Sequence, residues 1–394
     1  MSHDDRYDGP DSPNSVGWVR AEDVRLADED DPLRLKCGQE LFPVDVEYET
    51  YGELNQAKDN VVLICHALSG DAHAAGWDSE ADKRPWRKDR PGWWDGMIGP
   101  GKAYDTDEYF VICSNVLGSC YGTTGPSSVD PDTGEPYGLD FPVVTVEDWV
   151  RLERRLLDHL EIDDIHTVSG GSLGGAQAME WALTYPEMVK NVHIVGASDK
   201  LSAQGLAFNA VSRYAIMSDP RFNEGDYYRG EHPADGLSVA RRLAHITYLS
   251  DKAMEKKFGR MLKGEGPSYK IVPEFEVESY LDYQGSKFVS RFDANSYIYI
   301  TKAMDYYDAS SKGGGDIKEA FQDCPCRFLL VSFSTDWLYD SSQIRAMGKE
   351  LMLAYKDVSY IDIPSDAGHD AFLIEIDKLG EVVKAHLQAG DIHG

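Results

Sequence analysis

A chain of 394 residues can bury a full core and can carry one large domain with an insertion, or two ordinary domains. Hydrophobic residues make up 42% and charged residues 27%, which is too apolar for general disorder, and no run approaches the ~18 uninterrupted apolar residues of a membrane span. Set against 68 Asp and Glu, 39 Lys and Arg leave a net charge of −29, which argues against nucleic acid and anionic membranes as partners.

The acidic excess is spread along the chain rather than gathered in a tail. That distribution points to a salt-rich cytoplasm, where the Debye length falls to ~3 Å at 1 M and self-repulsion is screened. An ordinary solvated acidic surface is the alternative. The first residues lack the basic start and apolar stretch of a signal peptide, so a cytoplasmic location is expected. Cys37, Cys65, Cys113, Cys120, Cys324 and Cys326 lack paired C-x-x-C spacing and read as reduced thiols.

Residues 1–16, rich in Asp, Ser, Gly and Pro, read as a disordered acidic arm. Over 41–51, Val44, Val46 and Tyr48 alternate with Asp45, Glu47 and Glu49, the period of a half-buried strand. Residues 60–67 (NVVLICHA) and 109–114 (YFVICS) are continuous apolar runs, as in strands covered on both faces of a mainly parallel sheet. The stretch between them, with Trp77, Trp86, Trp93 and Trp94, reads as a structured loop near the mouth of a site. Residues 146–160 place Trp149, Val150, Leu152, Leu156, Leu157 and Leu160 at helical spacing, followed by a short strand at 165–168. This is the β-α-β rhythm of a doubly wound sheet. Strand signals return at 192–195, 327–333 and 358–363, while the gap between carries helical patterns such as 237–249 and 294–307. The organisation predicted is an α/β core over 17–200 and 321–394, with a helical cap inserted at 201–320.

Gly170-Gly171-Ser172-Leu173-Gly174 is a G-x-S-x-G between a strand and a helix. In that context a sharp turn exposes the serine, and small neighbours let the flanking segments pass closely. The turn also aims the first helical N–H groups at charge developing on a substrate oxygen. A serine of ordinary pKa needs a base and an orienting acid, which follow later in the chain in this fold class, acid before histidine. Asp336, after the run RFLLVSF, and His369, after YIDI, both lie just beyond strand ends, where α/β sheets gather reacting groups. Asp340 and Asp366 are the rival acids. Backbone N–H groups of Leu68, in the loop after the strand at 60–67, and of Leu173 are the expected oxyanion donors. His66 and His73 match no helical metal-ligand spacing, and no metal is expected.

The segments CHALSGDAHAAG (65–76), GGSLGGAQAMEWALTYP (170–186), ARRLAHITYLS (240–250), VESYLDYQGSKFVSRFDANSYIYITKAMDYYD (277–308) and DAGHDAFL (366–373) resemble homoserine O-acetyltransferases of the α/β-hydrolase superfamily. The likeness runs over about 41–373. It implies an α/β-hydrolase fold with a helical lid, Ser172 as nucleophile, Asp336 as acid and His369 as base. It implies further that Arg241 and Asp370 hold the amino-acid substrate, with Tyr248 nearby. Elementary chemistry agrees: a guanidinium can fork onto the homoserine carboxylate, and a carboxylate can pair with its ammonium.

The reaction implied is ping-pong transfer of an acetyl group from acetyl-CoA to the homoserine hydroxyl, in methionine biosynthesis, by a homodimer with no bound cofactor. Family members often carry Met where Leu173 stands and Thr where Ser69 stands; neither difference removes a backbone donor. Succinyl transfer, serine as acceptor and a plain serine esterase are the alternatives, and a binding protein without activity is a more distant one. Because coenzyme A is polyanionic and the chain strongly acidic, a local basic lining and a salt requirement are expected.

Overall fold

The structure, a computed structural model, describes residues 9–391. Its centre is an eight-stranded sheet built from β1 (Glu22–Ala27), β2 (Val44–Tyr51), β3 (Val61–Cys65), β4 (Phe110–Ser114), β5 (Ile165–Gly171), β6 (Val189–Val195), β7 (Arg327–Phe333) and β8 (Asp357–Ile363). The spatial order is β1-β2-β4-β3-β5-β6-β7-β8; β2 runs antiparallel to both neighbours, and every pair from β4 onward is parallel. The apolar runs form the inner strands because both faces are covered. Leu63 and Val168 face a layer that contains α1 (Val146–His159) and α2 (Leu173–Thr184), whereas Val62 and Ile64 face Leu379, Val383 and Leu387 of the last helix. Helix α1 starts where a capping box closes it, Thr145 Oγ accepting from Asp148 N and the Asp148 carboxylate accepting from Thr145 N at 2.8 Å.

Between β6 and β7 the chain leaves the sheet and forms α3 (Ala203–Met217), α4 (Ala234–Tyr248), α5 (Asp251–Lys257), α6 (Glu276–Val289) and α7 (Ala294–Tyr306), an inserted helical subdomain over the strand ends. The sheet with its flanking helices and this insertion is the α/β-hydrolase fold expected above. Among the described residues, no helix is long and apolar enough to cross a membrane.

Two expectations change. The alternating pattern of 41–51 implied a strand with one face in water, yet Glu47 and Glu49 of β2 are only 3% and 1% exposed. The tryptophan-rich loop folds back over them and brings Arg87, which reaches Glu47 at 2.9 Å, Glu49 at 3.3 Å, Asp71 at 2.9 Å and Asp78 at 3.2 Å. Buried carboxylates persist only when paired, and the cation that pairs them lies far outside the window in which periodicity is read. Of the arm expected over 1–16, residues 1–8 lie outside the described residues. Residues 9–16 form hydrogen-bonded turns, Ser12 N to Gly9 O and Ser15 N to Ser12 O at 3.0 Å each, and Val16 packs on the core beside Gly76.

Candidate active site

Strand β5 ends in the sharp turn that carries Ser172, whose backbone sits at φ 56°, ψ −120° before α2 begins at Leu173. The turn is sterically possible only with glycine around it. A Cβ on Gly170 would lie 2.3 Å from the Gly174 carbonyl carbon, and one on Gly174 would lie 2.0 Å from the carbonyl oxygen of Cys65 at the end of β3. The same close approach sets the head of α2 against the loop after β3.

Asp336 follows β7 and His369 follows β8, and the two meet Ser172 in one line. His369 Nε2 lies 2.8 Å from Ser172 Oγ, and Nδ1 lies 2.7 Å from Asp336 Oδ2. The other carboxylate oxygen of Asp336 accepts from the N–H groups of Leu338 and Tyr339, both at 2.9 Å, which fixes the plane of the carboxylate. The rival acids are elsewhere: Asp340 caps the helix Ser341–Leu353 through Ser342 N at 2.8 Å, and Asp366 pairs with Lys252 at 3.2 Å. Burial disfavours the His369 imidazolium, but the adjoining Asp336 carboxylate outweighs it and the net shift is upward. A base acts only when neutral, so a raised pKa carries the inactive, protonated form to higher pH. The acid limb of kcat/KM is therefore expected above the ordinary imidazole value of ~6.5, and a pH profile with its acid limb clearly below that would contradict His369 as the base.

Leu68 stands in the loop after β3, and Leu173 is the first residue of α2, where a helix offers N–H groups without intrahelical partners. This loop is held from several sides. His66 Nε2 accepts from Val116 N at 3.2 Å, its Nδ1 lies 2.8 Å from Ala67 O, and Gln177 donates to His66 O at 3.0 Å. His73 instead faces Glu49 at 3.0 Å, so the two histidines serve separate structural contacts.

Above Ser172, His369 and Asp336 the cap supplies Arg241 and Tyr248 from α4. Tyr248 sits between the other groups, its ring centroid 6.0 Å from that of His369 and 5.7 Å from the Arg241 guanidinium carbon. Asp370, next to His369, is pushed up to about 6 by burial, against the lowering pull of His369 and Arg241. The structure also brings in residues that sequence reasoning did not single out. Arg291, just beyond α6, donates to the Ser69 carbonyl at 3.3 Å and to the Tyr121 hydroxyl, while Arg241 donates to the Ser69 hydroxyl at 3.3 Å. Both guanidinium groups stack on Phe288, at 4.5 and 5.1 Å, and among the described residues neither holds a carboxylate. Two cations so placed in an acidic chain are available to anionic ligands. The signal was an arginine inside the apolar run FVSRF, which reads equally well as the end of a helix.

The space in front of Ser172 is a narrow chamber of about 40 Å³, bounded by Leu68, Leu201, Phe208, Tyr248, Tyr297 and Leu338, with no cation on its walls. The arrangement can carry out acyl transfer through a serine ester: a nucleophile, a base, an orienting acid, a pair of candidate oxyanion amides and a charged cap above them.

A family model described as the α/β hydrolase fold matches residues 60–375. A homoserine O-acetyltransferase of Solidesulfovibrio magneticus is 49% identical over 379 residues, covering 95% of this chain and 94% of that one. A homoserine O-succinyltransferase of Magnetococcus marinus is 52% identical over 368 residues, covering 91% and 92%. The crystal structure of homoserine O-acetyltransferase from Bacillus anthracis superposes with a TM-score of 0.86 at 32% identity, over 94% of this chain and 97% of that one.

Proposed function

The chain belongs to the homoserine O-acyltransferase family of the α/β-hydrolase superfamily, and from that membership we propose that it transfers an acetyl group from acetyl-CoA to the side-chain hydroxyl of L-homoserine through an acyl-serine intermediate. The observation that carries the reading is the hydrogen-bonded line Ser172–His369–Asp336 beneath Arg241 and Asp370. Ser172 Oγ attacks the thioester carbonyl as His369 Nε2 takes its proton; the C–S bond then breaks, and the coenzyme A thiolate leaves with that proton. Homoserine enters next, its carboxylate on Arg241 and its ammonium on Asp370. His369 removes the hydroxyl proton, the new oxygen attacks the acyl-serine, and Ser172 departs reprotonated by His369. Negative oxygen in both tetrahedral intermediates is stabilised by the N–H groups of Leu68 and Leu173. Water loses to homoserine because two charged contacts hold the acceptor at high effective concentration over a covered site.

Acetyl is favoured over succinyl by the chamber. It is small and lacks a cation on its walls, where Asn209, Ser212 and Thr247 are neutral polar groups, so the distal carboxylate of a succinyl group would be buried there without a counter-charge. The deciding experiment follows thiol release from acetyl-CoA or succinyl-CoA, with homoserine, serine or no acceptor. Release that needs both acetyl-CoA and homoserine supports the reading, preference for succinyl-CoA keeps the mechanism and changes the donor, and equal release without acceptor makes the protein a hydrolase.

The reading extends to a homodimer in a salt-rich cytoplasm. Exposed Val211, Tyr214 and Met217 of α3 and Val239 of α4 form an apolar face on the cap suited to a second copy, and the net charge of −29 favours screening salt. Activity and thermal midpoint are expected to rise together from zero salt toward ~1 M, with sedimentation giving twice the chain mass. Activity that falls steadily from zero salt, or a monomer throughout, would overturn that extension.

A further inference from the structure

In a chain with 68 acids and 39 bases, many surface cations hold a carboxylate, as do Arg25 with Asp45 at 2.8 Å, Lys58 with Glu161 at 3.0 Å and Lys318 with Asp316 at 3.5 Å. Residues 252–263 (KAMEKKFGRMLK) break the pattern, with five cations against the single Glu255. Lys252 pairs with Asp366 at 3.2 Å, but among the described residues Lys256, Lys257, Arg260 and Lys263, all exposed, hold no carboxylate. Lys257 and Arg260 lie instead over aromatic rings, Lys257 at 4.4 Å from Tyr280 and Arg260 at 5.5 Å from Phe275. The neighbouring stretch carries Glu274, Glu276 and Glu278, and Glu278 feels Lys263, but none makes an ion pair with the four cations, and an island of unpaired positive charge on a strongly negative surface concentrates the field for an anion.

The island is joined to the catalytic line. Ser250, which caps α5, donates its hydroxyl to the Asp366 carbonyl in the loop that carries His369. From Lys257 a run of ring contacts leads inward: Tyr280, whose hydroxyl lies 3.1 Å from His245 Nδ1, then Tyr248 at 5.7 Å from His245, then His369 at 6.0 Å. Beside α5 lies an open, largely apolar pocket of about 500 Å³, lined by Ile246, Leu249, Met254, Thr335 and Trp337 together with the charged Asp251 and Lys252. Trp337 directly follows the acid Asp336 and is anchored through Nε1 to Leu249 O at 3.0 Å, leaving 36% of its surface exposed. Its ring meets Phe208 edge-on at 5.6 Å, and Phe208 is a wall of the chamber before Ser172. Pocket and chamber thus share the Trp337–Phe208 contact, and Lys252, the first cation of the run, lines the pocket.

We propose that this surface docks the nucleotide end of the acyl donor, with the adenine in the pocket against Trp337 and the phosphates on Lys256, Lys257, Arg260 and Lys263. The proposal rests on the reading above that the donor is an acyl-CoA. It matches ligand chemistry in two parts: a flat heteroaromatic ring takes an aromatic platform and phosphates take Lys and Arg, while the neutral arm that links the phosphates to the thioester is the part that reaches from this surface toward the serine. It also explains how a chain of net charge −29 accepts a polyanionic substrate, since the repulsion is cancelled locally.

The test compares acetyl-CoA with acetyl-pantetheine, which presents the same thioester without the nucleotide, at the lowest salt at which the protein is folded. The double variant Lys256→Glu, Lys263→Glu is expected to raise KM for acetyl-CoA about tenfold relative to KM for acetyl-pantetheine, and to flatten the salt dependence of the former. Lys256→Gln, Lys263→Gln should move the ratio in the same direction by less, which keeps the test available where charge reversal harms folding. An unchanged ratio in both variants, or wild-type KM values equal for the two donors, would overturn the docking site while leaving the acyltransferase reading in place. If neither donor released thiol in the wild type, the acyltransferase reading would fall first.

Discussion

Replacing Ser172 with alanine is expected to reduce acyl transfer by roughly 10⁴-fold or more while leaving the fold intact. In the proposed mechanism the serine oxygen is the atom to which the acyl group bonds, and His369 Nε2 lies 2.8 Å from it with no other group to deprotonate in the first half-reaction. Removing one member of a unit that acts together costs nearly as much as removing all of it, so the residual rate measures only binding and the oxyanion amides. Alanine at φ 56° is no better accommodated than serine, and the hydroxyl carries little of the packing, so the thermal midpoint should shift by only a few degrees. Intact-mass measurement after mixing with acetyl-CoA alone separates chemistry from folding: the wild type should gain one acetyl group and the variant none. An acylated Ser172→Ala protein would place the nucleophile elsewhere.

Arg241→Leu is the second large effect, and it falls on the other half of the reaction. With the guanidinium gone, the homoserine carboxylate of the proposed mechanism loses its direct partner and keeps only the neighbouring Arg291 on Phe288, a loss of up to about 2–5 kcal/mol that corresponds to roughly a 30- to several-thousand-fold rise in KM for homoserine. Acylation by acetyl-CoA, read as the thiol burst before acceptor is added, should change far less. The pH dependence carries a further signature. Asp370 stands at about 6 because burial raises it while His369 and Arg241 pull it down; without Arg241 it retains its proton to higher pH. In the proposed mechanism only the ionised carboxylate pairs with the ammonium, so KM for homoserine should begin to climb at higher pH in the variant than in the wild type. Equal losses in the burst and in KM would instead make Arg241 a support of the Ser69 loop, through its 3.3 Å contact with the Ser69 hydroxyl.

How far the chain could be read in advance depended on the range of each signal. The apolar runs that became β3, β4 and β7 were legible because burial on both faces of a parallel sheet leaves a local compositional mark. Gly170, Ser172 and Gly174 were legible because a strand-to-helix turn this tight excludes side chains at neighbouring positions. The cap helices were legible from their spacing, but not what they hold. The cation for Glu47 and Glu49 comes from Arg87, and the clamp on Ser69 comes from Arg291, more than 200 residues away.

The sequence by itself therefore determined the strands that became β2 to β8, the serine turn and the helical insertion, since each follows from local sterics, from burial over a few residues, or from motifs close in the chain, while the edge strand β1 left no such mark. Only the tertiary structure set Asp336, rather than Asp340 or Asp366, within hydrogen-bond distance of His369, put Arg291 beside Arg241, sealed the acidic face of β2 and set Lys252 in one pocket with Trp337. Those outcomes depend on electrostatic and hydrogen-bonding partners that meet only after the chain has closed loops of tens to hundreds of residues, and a partner's distance in space is not written in its distance along the chain.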